Sequence, residues 1–155
     1  MSHAAITIRV DDPSAPHVAD LLAHHLTELR GHMAAFAFAL DATGLSQPDV
    51  TFWTAWRGEE LVGFVALKRH ADGSGELKSM RATSAAGNTG VGRALLAHVL
   101  AEGRRLGLNR IDLETGTAAL HAPAVSLYRS AGFVDRGPFA EYRPSPHNRF
   151  LTLPL

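Results

Sequence analysis

Residues 76–96, ELKSMRATSAAGNTGVGRALL, constrain the chain more than any other stretch. The β-rich run Glu76–Ala82 leads through a loop holding Gly87, Gly90 and Gly92 into a helix predicted over Val91–Leu106, with apolar positions Val91, Leu95 and Val99 and a stop at Gly107. Glycine lets a backbone approach a ligand closely, and the first amides of a helix lack intrahelical acceptors at the positive end of its dipole. A strand, glycine loop and helix in this order suit a pyrophosphate, although the same glycines would also serve a tight turn with no ligand. Two nucleotide loops are excluded by spacing. Leu95 stands where a dinucleotide fingerprint needs its third glycine, and Arg93-Ala94 where a Walker loop needs Lys followed by Ser or Thr.

The other elements are read from periodicity. Ile6, Ile8 and Val10 alternate as in a half-buried strand that Asp11, Asp12 and Pro13 end, with Asp12 or Ser14 placed to cap the first helix. Val18, Leu21, Leu22, Leu26 and Leu29 recur at helical spacing over 16–30. Residues 33–49, with Gly44 and Pro48, read as an irregular or short helical connector. Val50–Arg57 and Leu61–Arg69 form a hairpin about Gly58–Glu60, and a turn at Asp72–Gly75 brings in Glu76–Ala82 as a third antiparallel strand. After the 91–106 helix come a strand at Arg110–Thr115, a helix at Ala122–Ala131 ending on Gly132, and short strands near Phe133 and at Phe150–Leu153. This order predicts an α/β fold: one domain over 1–155, a mixed sheet with helices on both faces, and chemistry where strand ends open toward a helix start.

Composition narrows the function. Fifteen Lys and Arg balance fifteen Asp and Glu, which argues against a field-driven grip on nucleic acid or an anionic membrane. No cysteine means no disulfide, no thiolate metal site and no thiol nucleophile, and fits a reducing compartment. The N-terminus shows no signal-peptide pattern, and the apolar run 33–40 is shorter than the ~20 apolar residues of a membrane span. A cytoplasmic protein is expected. His17, His24, His25 and His32 lie along the first helix with pairs seven apart, two turns rather than one, and no HExxH accompanies them, so no metal site is expected. Trp53 and Trp56, three apart in a strand, point to opposite faces as packing residues, and Ser74 in DGSGE lacks a nucleophile elbow.

The window Gly87–Gly92 (GNTGVG), together with LYRSAGF at Leu127–Phe133 and the preceding hairpin TFWTAWRGEELVGFVAL, resembles the GNAT N-acetyltransferases. ELKSMR, LETGT, GPFAEY and the terminal FLTLPL are similar to a bacterial YsnE-like subgroup. The resemblance implies the acyl-CoA N-acyltransferase fold, with a mostly antiparallel sheet splayed between its fourth and fifth strands. It implies acetyl-CoA as cosubstrate, its pyrophosphate on the amides of Gly87, Asn88, Thr89, Gly90, Val91, Gly92 and Arg93. The pantetheine arm would then lie beside Met80, Arg81 and Ala82 of the fourth strand, with His121 and Ala124 bordering it. Tyr128 matches the tyrosine that in many members protonates the departing thiolate; its alternative is ordinary helix packing. Gly87 stands where the family usually has Arg or Gln, and His121 where many members have Asn.

Transfer to an amine needs a base, because a lysine-like acceptor titrates near 10.4. Glu76 on the fourth strand and Glu114 on the fifth are the candidates, Glu76 preferred; either could equally be a salt-bridged carboxylate. Tyr142 and His147 are candidates for lining the acceptor pocket. With no cysteine to carry an acyl group, direct attack by a small-molecule or peptide amine in a ternary complex is expected. The competing expectations are a non-catalytic acyl-CoA binding or sensing module and a nucleotide-binding regulator. A homodimer is compatible with the family.

Overall fold

The computed structural model describes residues 5–33, 42–83 and 90–155, and among these the side chains of all but 25–33, 42 and 43. The elements run β1 (Ile6–Val10), α1 (Pro16–Met33), α2 (Ala42–Leu45), β2 (Val50–Arg57), β3 (Glu60–Arg69), β4 (Gly75–Ala82), α3 (Val91–Arg105), β5 (Arg110–Gly116), α4 (Ala122–Ser130), β6 (Val134–Arg136) and β7 (Asn148–Pro154), with a 3-10 turn at Ala119–His121. The strands form one sheet in the order β1-β2-β3-β4-β5-β7-β6. Every neighbouring pair is antiparallel except β4 and β5, which are parallel and therefore need a crossover, supplied by α3.

Adjacent strand residues turn to opposite faces, and both faces are covered, which is why β2 and β3 contain nearly unbroken apolar runs. On one face Trp53, Val65, Leu67, Leu77, Ile111, Leu113 and Leu151 pack under the Val91, Leu95, Val99 stripe of α3 and under Tyr128 of α4. On the other, Phe52, Phe64 and Ala66 pack under Val18 and Leu22 of α1 and Leu45 of α2. Each fully buried Leu or Val contributes about 1.5–3 kcal/mol relative to exposure. The two tryptophans do part: Trp53 meets the His98 ring edge-on at 5.0 Å on the α3 side, whereas Trp56 lies under the Arg9 guanidinium and beside His17. α1 starts with Pro16 after a turn in which Asp12 Oδ1 accepts hydrogen bonds from the amide and hydroxyl of Ser14.

The parallel contact is brief. Only Gly75 faces Ile111 and Glu76 faces Asp112, after which β4 continues to Ala82 and β5 to Gly116 without facing each other. β4 keeps β3 on its other side, and β5 is paired with β7 along its whole length. The expected splay is thus present, opening beyond Glu76 and Asp112.

Candidate active site

α3 enters the site with its first turn uncapped. Gly90, the N-cap, adopts φ 88°, a left-handed conformation that favours glycine, and neither a side-chain cap nor an acidic residue serves the first turn. The first N–H groups of a helix, at its positive dipole end, fit an anionic diphosphate. Gly90, Val91, Gly92 and Arg93 form this helix start, whereas Gly87, Asn88 and Thr89 lie outside the described residues.

The opening between β4 and β5 fits an extended arm. Met80, Arg81 and Ala82 border it, with their β5-side neighbours gone. The β3–β4 register shifts just before them: Ala66 faces Lys78 and Phe64 faces Arg81, so Ser79 and Met80 together oppose Val65 in a bulge. Ser79 has φ 54°.

A buried polar cluster lies on the face of β4 opposite the α3 core. Glu76 and Lys78 are i and i+2, hence neighbours on one face, at 2 % and 8 % exposure. Lys78 Nζ lies 3.0 Å from Glu76 Oε2 and donates to the Tyr142 hydroxyl at 2.6 Å, and its ammonium lies over the Tyr142 ring. Tyr142 in turn donates a short hydrogen bond to Glu76 Oε2, and the His70 ring meets Glu76 Oε1 at 2.9 Å. Both Glu76 oxygens are engaged. Tyr142 is fixed by a cluster with Phe139 and Phe150, ring centroids 5.1–5.9 Å apart. Burial, then the charge of Glu76, keeps its phenol protonated well above the ordinary range. His147, the other candidate from the tail, is exposed; its amide donates to Ser145 Oγ and its carbonyl accepts the Thr117 amide.

Glu114 is differently placed. Its Oε2 is shut off from solvent and has no hydrogen-bond partner. Burial raises its pKa from 4.5 to about 7, against the opposing pull of Asn148 and the Lys78 charge and with a small push from Glu76. Asn148 is itself oriented by Arg143 and Ser145, since its amide donates to the Arg143 carbonyl and its Oδ1 accepts from the Ser145 amide. Facing Glu76 across the parallel pair, Asp112 accepts from both Arg110 and Arg136 at 2.9 Å.

Tyr128 is 4 % exposed, and burial alone raises its phenol far above 10, so it is protonated at any physiological pH. Its position is set by the end of α4. The Phe133 amide donates to the Tyr128 carbonyl, the Gly132 amide to Arg129, and Gly132 takes φ 106°, a Schellman cap. The cap folds Phe133 back until its ring centroid lies 5.7 Å from that of Tyr128. The spacing of Tyr, Gly and Phe is thus the spacing of a helix cap. Ala124 packs on the same core, and His121 is the N-cap of α4. A groove of about 630 Å³ involves the outer face of α4, with Ala122, Ser126 and Arg129, and Arg149 of β7; Glu76, Glu114 and Tyr128 do not line it. Among the described residues no group of His, Asp and Glu could hold a metal ion, and no helix is long and apolar enough to cross a membrane.

Lys78 and Ser79 lie within ELKSMR, where the sequence assigns neither a role, and Asn148 lies in no motif. Lys78 is nevertheless accessible from strand alternation, which places it beside Glu76.

An α3 cradle beside a sheet split at its parallel pair defines an acyl-CoA N-acyltransferase fold. A sequence model of the acetyltransferase (GNAT) family matches residues 15–133. The uncharacterized N-acetyltransferase YedL of Escherichia coli K12 is 43 % identical over 150 residues, covering 96 % of this chain and 94 % of YedL. The uncharacterized N-acetyltransferase YsnE of Bacillus subtilis 168 is 37 % identical over 151 residues, covering 96 % and 99 %. The crystal structure of a Klebsiella pneumoniae protein described as an acyl-CoA N-acyltransferase superposes with TM-score 0.81 at 26 % identity, covering 97 % of both chains. The chain belongs to the GNAT acetyltransferase family and is an enzyme of the acetyltransferase class.

Proposed function

We propose that the chain transfers the acetyl group of acetyl-CoA directly to an amine nitrogen, with both substrates bound at once, Glu114 as general base and Tyr128 as general acid. The observation that carries this reading is the half-buried Glu114 carboxyl, one oxygen without a partner, with a pKa of about 7 beside the split. A carboxyl at that value is part ionised at neutral pH and far more basic than a solvated one. Glu76 is the poorer base because both its oxygens are already occupied, by Lys78 and Tyr142 on one side and His70 on the other. Its part is to neutralise Lys78 and hold Tyr142 over the acceptor side.

The amides of Gly90, Val91, Gly92 and Arg93 would take the diphosphate, joined on the family pattern by Gly87, Asn88 and Thr89. Met80, Arg81 and Ala82 would pair their open edge with the pantetheine, bordered by His121 and Ala124. When bound, the thioester supplies an activated acyl carbon. Glu114 draws a proton from the acceptor ammonium and the freed amine attacks the acyl carbon; as the carbon–sulfur bond breaks, Tyr128, neutral because it is buried, gives its proton to the sulfur and regains one from the nitrogen of the new amide. No protein thiol is available to carry the acyl group, so the order of events is sequential.

Initial rates with acetyl-CoA and a panel of polyamines, amino acids and short peptides test this reading. Intersecting double-reciprocal lines are expected, and parallel lines would overturn it. The wild-type kcat/KM is expected to rise with pH through about 7, the base form being the ionised one. Glu114→Gln should lose that limb and about 10²–10⁴ in rate; an unchanged profile would remove Glu114 from the mechanism.

A further inference from the structure

We propose that the groove on the outer face of α4 is a second binding site, for a small oxyanion: a carboxylate or phosphate carried on a short apolar stem. At about 630 Å³ the groove has the size of a metabolite site rather than of an inorganic ion. Two cations line it, Arg129 and Arg149, with the hydroxyl residues Thr117, Ser126 and Ser130, and none of the described residues in its walls is acidic. In a chain whose charges balance at fifteen of each sign, this is a local surplus of positive charge. Arg149 carries most of it. Its Nε is shut off from solvent with no hydrogen-bond partner, and no carboxylate pairs with its guanidinium among the described residues. Arg105, Arg110 and Arg136, by contrast, each hold a carboxylate.

Strand alternation puts Arg149 beside α4. It faces Thr115 across the β5–β7 ladder, and two residues away Leu151 faces Leu113, both in the core that also holds Tyr128, so Arg149 stands on that same side of the sheet. On α4, Ser126, Arg129 and Ser130 fall at i, i+3 and i+4 and form one edge of the helix, which Ala122 and Val125 continue as its apolar part. Arg129 is held by Asp135 at 3.1 Å, with both side chains open to water, a pair weak enough to give way to a ligand. A guanidinium half out of water and without a counter-ion is suited to a carboxylate or phosphate, which it binds through charge-assisted hydrogen bonds. The occupant is a molecule other than the substrates of the transfer. Neither the α3 start nor Met80, Arg81 and Ala82 line the groove, and His121, Ala124, Glu76, Glu114 and Tyr128 are equally absent from it.

The test titrates the full chain with inorganic phosphate, butyrate and butyl phosphate, against sodium chloride at matched ionic strength, and follows backbone amides by two-dimensional NMR. Saturable shifts are expected at 116–119, along α4 and at 148–150, and the tighter of butyrate and butyl phosphate identifies the head group. Arg149→Gln should weaken that anion by at least about tenfold, the loss of one charge-assisted contact. Arg129 is exposed, so Arg129→Gln serves even if the first variant fails to fold, and a loss of about two- to fivefold is expected from it. Shifts that chloride reproduces, or an affinity that the folded variants leave unchanged, would overturn the proposal. Inorganic phosphate binding as tightly as butyl phosphate and butyrate would remove the apolar stem and with it the ligand class. The same titration with CoA present should give the same affinity; competition between CoA and the anion would assign the groove to the cosubstrate and overturn a separate site. The result does not depend on which residues carry out acetyl transfer, since no turnover is read.

Discussion

Glu76 and Glu114 are chemically the same side chain in two environments, and the difference between them determines which can accept a proton. Glu76 has a cation and two hydrogen-bonding rings around it; Glu114 has one oxygen enclosed with no partner. The contrast has a consequence for stability as well as for rate. A carboxyl whose folded pKa is raised to about 7 stabilises the fold at low pH, where it is protonated, and that contribution is lost as pH rises from about 4.5 through 7. Glu114→Gln should therefore melt progressively higher than wild type across that window and hold a constant advantage above it, in thermal scans from pH 4 to 9. A constant difference at every pH would show that the carboxyl is not buried as described. From sequence, both glutamates are visible as strand residues, but their environments are not. The groups that distinguish them include Tyr142, 66 residues from Glu76, and that proximity is written in no local pattern.

At the scale of single elements, much is legible. The α3 stripe of Val91, Leu95 and Val99, the hairpin about Gly58 and the stop at Gly132 can be read from periodicity and punctuation, and their boundaries agree within a few residues. The end of α4 shows why the LYRSAGF pattern is so readable: a left-handed glycine, two capping hydrogen bonds and a ring contact all require those residues in that order. Gly132→Ala forces a Cβ into the left-handed region and should lower stability by about 1–2 kcal/mol. The loss is expected as a lower denaturant midpoint with an unchanged m-value, accompanied by weaker turnover because Tyr128 is anchored through the same cap. What no element shows by itself is the β4 bulge. Nothing in ELKSMR marks Ser79 as left-handed; the irregularity arises only when β4 is laid against β3.

The whole molecule is a sheet in two parts, β1 to β4 and β5 to β7, each laddered throughout and joined to the other at two facing residue pairs. Antiparallel hairpins can be read from turns, but how far a parallel pair stays together depends on register, so the split is implied by resemblance to a family and not by residue patterns. An arm lying in the split would supply partners to the open edge of β4. Hydrogen exchange with and without CoA should therefore show slowed exchange within Lys78–Ala82, and uniform exchange in the two states would place the ligand elsewhere.

The short junction at Gly75–Glu76 and Ile111–Asp112 also decides how the protein would come apart. Its flanks are each zipped over many rungs, while the midline hangs on two, helped by α3 bridging above and by the Asp72–Arg110–Asp112–Arg136 ion chain below. Under mechanical load from the ends, this seam is the fault line: the halves would shear past one another there before either ladder frays.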